Sequence, residues 1–504
     1  MASLKSHKIR TQTVAVEFEG SPNAHEPNNQ LSMVCKMKLL PALEKLFDEK
    51  ALSKKYIQID RLQVDAGKIN KENWEDQFVN IVVKQLEEYL ENLASGQSSH
   101  GDQKYDDPEL SGDPYPFAKG EGMAIHEAGH EQEALLHFLK YGVLPWYSSI
   151  KNSEELQQEF NLQLNSGNDF SEEIQRLIST DIKVFRRLIY QFSEASLMHI
   201  WMKDGTRSEE IMESGKIWKH LFGLVKIPYH DQKMIFFNAL RLIFIRYHTD
   251  LSNHDFTEDL AFAIAGSLKN EVRESLARLT DNPQSVNLEP KEKQIIDKIR
   301  SNDIGRSQEG LDTKLQEDTD NRADPVKRLN APIFFNEENP VFISNAGLVL
   351  LHPFMAGLFE NAGYTAGNLW KSNDLHVRSV LMTQFLVNGT EEYAEFEMVL
   401  NKLLTGFPLE ESFPAEIKLS DFEKEQANDM LQAVIGHWKG LKNTSISGLQ
   451  TTFIQREGKL VRKESGWLLH VDQKAFDILL EKIPWGFLTI KTPWMEEILS
   501  VEWI

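Results

Sequence analysis

The chain has 504 residues, 41% hydrophobic, 10% aromatic and 26% charged, enough apolar material for a sizeable core and a length that fits about three domains. Its 76 Asp and Glu against 55 Lys and Arg leave a net charge of −21, and a field of that sign disfavours nucleic acid and anionic lipid as general partners. The one cysteine, Cys35, excludes an intrachain disulfide and a thiolate metal cluster.

The opening residues MASLKSHKIRTQT lack the apolar stretch of a secretory signal. No run reaches the roughly 18 apolar residues that span a bilayer, so a cytoplasmic location in a reducing compartment is expected. TVAVEFEG alternates as a half-buried strand does. LSMVCKMKLLPALEKLFDEK then has helical spacing through Leu39, Leu43, Leu46 and Phe47, with Pro41 predicting a break or a fresh start. YIQIDRLQVDAG returns to strand alternation and stops at Gly67. WEDQFVNIVVKQLEEYLENL carries Trp74, Phe78, Ile81, Val82, Leu86, Tyr89 and Leu93 along one helical stripe. A small α/β module over residues 1–94 follows.

Residues 95–123 are polar and rich in Gly, Asp, Ser and Pro, the composition of a linker. From 124 to 280 the pattern is helical throughout, as in RLISTDIKVFRRLIYQF, DQKMIFFNALRLIFIRYH and EDLAFAIAGSLKNEVRESLARL, which predicts an all-α middle domain. Residues 281–332 contain no aromatic side chain and much charge of both signs, predicting a second linker with an isolated amphipathic helix at KEKQIIDKIRS. The C-terminal domain, 333–504, opens with helical runs (GLVLLHPFMAGLF, VRSVLMTQFLV, EFEMVLNKLL, KEQANDMLQAVIGHW). It closes with four strand-like runs, GKLVRK, GWLLHV, GFLTIK and ILSVEW, with the helical AFDILLEKI between the second and third. The expected fold is therefore α+β, mostly α, ending in short antiparallel strands. No repeat of 20–50 residues points to a solenoid.

The sharpest short motif is HEAGH, His126–His130. On one helix face the two histidines would suit Zn²⁺, with Glu127 as general base for a metal-bound water. Gly129 opposes a helix interior, the following residues are polar, and the extended spacing fails because positions 133 and 136 are Glu133 and Leu136, with His137 one place late. A zinc peptidase is thus the alternative reading, and a solvated helix start with fortuitous histidines the preferred one. No phosphate loop, nucleophile elbow or dinucleotide-binding glycine turn is present. Cys35 and His352 both sit among apolar residues, as core side chains do. Six of the ten tryptophans fall in the last 135 residues, and Trp485, Trp494 and Trp503 lie among Pro484 and Pro493. That surface suits core packing, and part of it suits docking of a partner, since Trp supplies large contact area at low entropic cost.

Several long stretches, in fixed order, carry a family resemblance. IDRLQVDAGKI with the helix at 73–94, ALLHFLKYGVLPWY, NAGLVLLHPFMAGLFENAGY, EFEMVLNKLLTGFPLE, AVIGHWKGLKNTSISGLQTTFIQREGKL and IPWGFLTIKTPWMEEILSVEW resemble the tape-measure-type proteins of contractile injection systems, the phage-tail-like devices of bacteria. The resemblance implies a role in assembly: setting the length of inner tube and sheath in association with tube, sheath or baseplate proteins. Self-association is left open, and no catalytic residue, metal or cofactor is implied. By their place in matching stretches, Trp146, Gly347, His352, Pro353, Lys442, Asn443, Thr444, Trp485, Pro493 and Trp494 are the candidate structural or docking residues.

Length physics sits uneasily with a ruler. A single helix of the whole chain would span roughly 750 Å, yet nothing in the sequence reads as one long helix. The two linkers together would reach only about 260 to 290 Å when extended. Either the middle domain extends, or the chain works as a compact assembly factor. A general helical scaffold or chaperone is the remaining alternative.

Overall fold

The computed structural model describes residues 14, 25–50, 55–69, 73–94, 117–145, 148–166, 169–202, 207–246, 255–280, 287–300, 340–391, 393–441 and 444–503. It is mostly α-helical with a few short strands, and it forms two compact units, Met1–Glu131 and Gln132–Ile504.

In the first unit, α1 (His25–Val34) runs through a π-helical turn at Cys35–Leu39 into α2 (Leu40–Lys50). Of the two outcomes expected at Pro41 the chain takes the fresh start: α2 begins at Leu40 after the π turn, with Pro41 as its second residue. Widening the turn, with the Leu40 N–H donating to the Cys35 carbonyl, accommodates a residue that has no N–H of its own. Leu39, Leu43 and Leu46 face Phe78, Val79, Leu86 and Leu90 of α3 (Trp74–Ala94) in a small core. Strand β1 (Lys55–Asp65) ends where the Gly67 N–H donates to the Asp65 carboxylate at 2.8 Å, with Gly67 at a φ of 64°. Its partner β2 (Phe117–His126) pairs antiparallel, Lys55 with His126 and Asp65 with Phe117. Part of the expected polar linker is therefore a strand. The strand expected at TVAVEFEG lies, apart from Val14, outside the described residues.

The second unit contains two hydrophobic clusters. The first is built by α4 (Glu127–Tyr141, from Gln132 onward), α5 (Ser153–Ser166), α6 (Asp169–Thr180), α7 (Ile182–Gln191), α8 (Glu194–Met202), α9 (Ser208–Leu224), α10 (Tyr229–Arg246), α11 (Phe256–Ser267), α12 (Asn270–Ala277) and α13 (Pro290–Arg300). The run RLISTDIKVFRRLIYQF, continuous in its periodicity, is two helices. Asp181 divides them because its carboxylate accepts from the Lys183 and Val184 N–H groups as the cap of α7. Phe160 stacks on Phe192 at 3.8 Å in the centre of this cluster, beside Phe138. The helix at KEKQIIDKIRS is α13, and it is not isolated. Ile295, Ile296 and Ile299 are buried in the cluster, and the Glu292 carboxylate accepts from His220 Nδ1 at 2.6 Å.

The second cluster spans the C-terminal part. Strand β3 (Val341–Ile343) leads through a 3₁₀ turn at Ala346–Leu351 into α14 (His352–Asn361) and the two-strand hairpin β4 (Thr365–Ala366) and β5 (Leu369–Trp370). Helices α15 (Asn373–Asn388), α16 (Val399–Thr405), α17 (Asp421–His437) and α18 (Ile446–Leu449) follow, the last continuing as a π turn to Ile454. Strands β6 (Gly458–Lys463), β7 (Gly466–Val471), β8 (Thr489–Ile490) and β9 (Leu499–Trp503) fall on the four expected runs, and Ala475–Lys482 between them is 3₁₀. The sheet order is β3-β6-β7-β9-β8. It is mixed, since β7 and β9 run parallel while the other neighbours are antiparallel as expected. Alternation fixes which face is inside: Leu460, Leu469, Leu499 and Val501 face the core.

Candidate functional site

The described candidate residues gather around α14 and the terminal sheet, and most of their contacts are inward. Gly347 sits where the backbone of Phe453 comes so close that an added Cβ would lie 1.6 Å from the Phe453 carbonyl oxygen. Only glycine permits that approach of the 3₁₀ turn to the π turn. His352, first residue of α14, bonds through Nδ1 to the Val349 carbonyl at 2.9 Å, and burial lowers its pKa. Pro353 follows in the first helical turn, where a missing N–H costs nothing, and its ring is exposed.

Trp485 is half-buried. Its indole N–H donates to the Leu350 carbonyl at 3.0 Å, and its ring meets Phe354 edge-on at 5.0 Å. Trp494 lies against Trp370 at 4.7 Å and Phe359 at 5.2 Å, and its backbone is pressed onto Gly406, a left-handed residue at a φ of 69°. Pro493 beside it is exposed. Trp503 donates from Nε1 to Asp477 at 2.8 Å, and the same carboxylate receives Arg456 at 2.7 and 2.8 Å. Thr444 is half-buried, its N–H donating to the Leu441 carbonyl at 2.8 Å. Trp146, Lys442 and Asn443 lie outside the described residues. Trp485 and Trp494 thus tie the end of the chain to α14, while the prolines next to them stand outward.

Outside these stretches, Phe476 (63% exposed), Ile478 (68%) and Leu488 (58%) present apolar side chains to solvent beside the terminal sheet. The sequence hid them, because Phe476 and Ile478 occur in an apolar run that reads as core.

HEAGH straddles two elements: His126 is the last residue of β2 and Glu127 the first of α4. Among the described residues, no group of three or more His, Cys, Asp or Glu is arranged to hold a metal ion. None of the described helices is long and apolar enough to cross a membrane.

A second feature was missed by sequence reasoning. Glu395, wholly enclosed, accepts from Arg187 Nε at 3.1 Å, Lys402 Nζ at 2.6 Å and Ser412 Oγ at 2.7 Å. Burial alone pushes the Glu395 pKa up, but the charges of Lys402 and then Arg187 outweigh it and hold the carboxyl below its usual range. Lys402 is itself pushed down by burial, against the pull of Glu395. The available signal was Arg187 itself, a charged residue three after Val184 on the apolar stripe of α7.

Comparison with known proteins agrees with the earlier resemblance. No curated protein and no solved structure matches the chain. Residues 6–503 match the family model described as contractile injection system tape measure protein, almost the full length. On that match the chain belongs to the contractile injection system tape measure protein family.

Proposed function

We propose that this protein acts without catalysis in the assembly and length control of a bacterial contractile injection particle, in association with tube, sheath or baseplate proteins. The observation that carries the reading is the family match from residue 6 to 503. The fold supports a folded assembly factor over a preformed rod. Among the described residues the longest α-helix, α3, has 21 residues, a rise of only about 32 Å. Docking falls to the outward groups of the C-terminal part, Pro353 and Pro493 with Phe476, Ile478 and Leu488, while the half-buried tryptophans hold them in place. Deleting the gene and imaging particles by electron microscopy tests the role. Altered particle length or a fall in particle number is expected, with a further change when residues 301–332 are shortened. Particles of normal length and number in the deletion strain would reject it.

A further inference from the structure

The two hydrophobic clusters of the second unit meet through a polar strap. Residues 394–396 and 408–412 flank α16. Met398 and, on α16, Val399, Leu400 and Leu404 belong to the C-terminal cluster with Phe407 and Phe413, while the flanking residues reach the helical cluster, where Ala394 is buried and Phe396 meets Phe138 edge-on at 6.1 Å. From the helical side Val143 is buried in the C-terminal cluster and Tyr141 packs against it, and the other contacts described are polar. Glu395 pairs with Arg187, and the same guanidinium donates from Nη2 to the Glu410 carbonyl at 2.7 Å. Gln191 donates to the Phe413 carbonyl at 3.2 Å, and the buried Lys233 pairs with Glu416 at 2.9 Å. At the rim, Lys183 faces Glu410 at 3.5 Å and Arg186 faces Glu411 at 3.8 Å.

We infer that this strap is a releasable clasp, at which the helical cluster and the C-terminal cluster separate while each keeps its own core. Three observations support it. Each side has a large hydrophobic cluster of its own, so separation uncovers the crossing side chains Val143, Ala394 and Phe396 and leaves the rest of both cores whole. The contact is rich in charged and polar pairs, the character of interfaces that open and close, whereas permanent ones are larger and more apolar. The charges are also arranged for both states. When Arg187 withdraws into water, Glu395 keeps Lys402 at 2.6 Å and Ser412 at 2.7 Å, both from its own side, so no uncompensated carboxylate is stranded. Opening turns one compact body into two joined in tandem, a longer object than the closed form.

The full-length protein tests this without any particle, so its outcome is independent of the assembly role. In one variant Arg187→Met removes the enclosed guanidinium. In a second, Lys183→Glu with Arg186→Glu reverses the rim charges facing Glu410 and Glu411 without touching either core. Both variants are expected to split thermal unfolding into two transitions, raise cleavage between residues 408 and 412 by about tenfold, and increase the maximum dimension in small-angle scattering. If Arg187→Met does not fold, the rim variant decides. A rim variant with one transition and wild-type dimensions, or one in which both clusters melt together, overturns the clasp.

Discussion

Arg187 and Glu395, 208 residues apart in the chain, form a 3.1 Å ion pair in which both side chains are fully enclosed. Such a pair adds little net stability against an apolar substitute, but removal of one partner exposes whatever charge remains. Here the two partners are not equivalent, because Lys402 also bonds Glu395.

Glu395→Ala is therefore expected to cost more than Arg187→Met. The first leaves two buried cations facing one another and should lose about 3–5 kcal/mol. The second leaves a compensated Glu395–Lys402 pair and should lose about 1–3 kcal/mol. Urea denaturation of the two variants gives the order, and a reversed order would contradict the role of Lys402 as second counter-charge.

Acid should destabilise the protein through the same kind of group. Glu395, Glu423 and Asp477 are each pushed up by burial. Each is nonetheless held below its ordinary range, Glu395 by Lys402 and Arg187, Glu423 by Tyr364 and Ser420 hydrogen bonds, and Asp477 by Arg456. A depressed folded pKa means that the unfolded chain binds more protons, so this stability is complete above the ordinary carboxylate range and fades as pH falls through the folded values. The urea midpoint should hold from about pH 7 to 5.5 and decline below about pH 4.5, with a shallower decline in Glu423→Gln. A midpoint that rises on acidification would contradict the assignment.

Two glycines ten residues apart should respond in opposite senses. Gly347→Ala forces a methyl into the Phe453 carbonyl and should lose more than about 3 kcal/mol or prevent folding. Gly357, in the exposed middle of α14 with nothing within 4 Å of its Cβ position, should gain up to about 1 kcal/mol as alanine. Thermal melts of the two single variants compare them directly.

Trp485→Ala and Phe476→Ser separate packing from docking. The first removes an indole bonded to Leu350 and packed on Phe354, and should cost about 2–4 kcal/mol. The second removes an exposed ring and should leave stability within about 0.5 kcal/mol. A loss of particle assembly in Phe476→Ser with unchanged melting would place this surface in an interface. Normal assembly would remove Phe476 from it.

Helical periodicity disclosed most of the helices, because a buried stripe recurs every three or four residues whatever it packs against. The terminal strands were legible for the corresponding reason of alternation. Strand β2 was not, since FAKGEGMAIH carries glycine and charge and becomes a strand only by pairing with β1. The amphipathic helix in the charged segment was found, but its burial was not, because Ile295, Ile296 and Ile299 say that a face is apolar and not what covers it. Stretches rich in tryptophan stood out as candidates by composition, whereas the direction of each indole depends on carbonyls such as Leu350 that lie more than a hundred residues away. Arg187 and Glu395 were beyond reach for the same reason.

Strand β3 finds its partner β6 only across the whole run of helices from α14 to α18. Closure of that sheet must wait until those helices have brought the two segments together, which makes it a slow, non-local step. During biosynthesis Val341–Ile343 emerges long before Gly458–Lys463, so for that interval an apolar edge has no mate. A chaperone or an early-arriving subunit that shields β3 over that interval would raise yield without any change to the finished molecule.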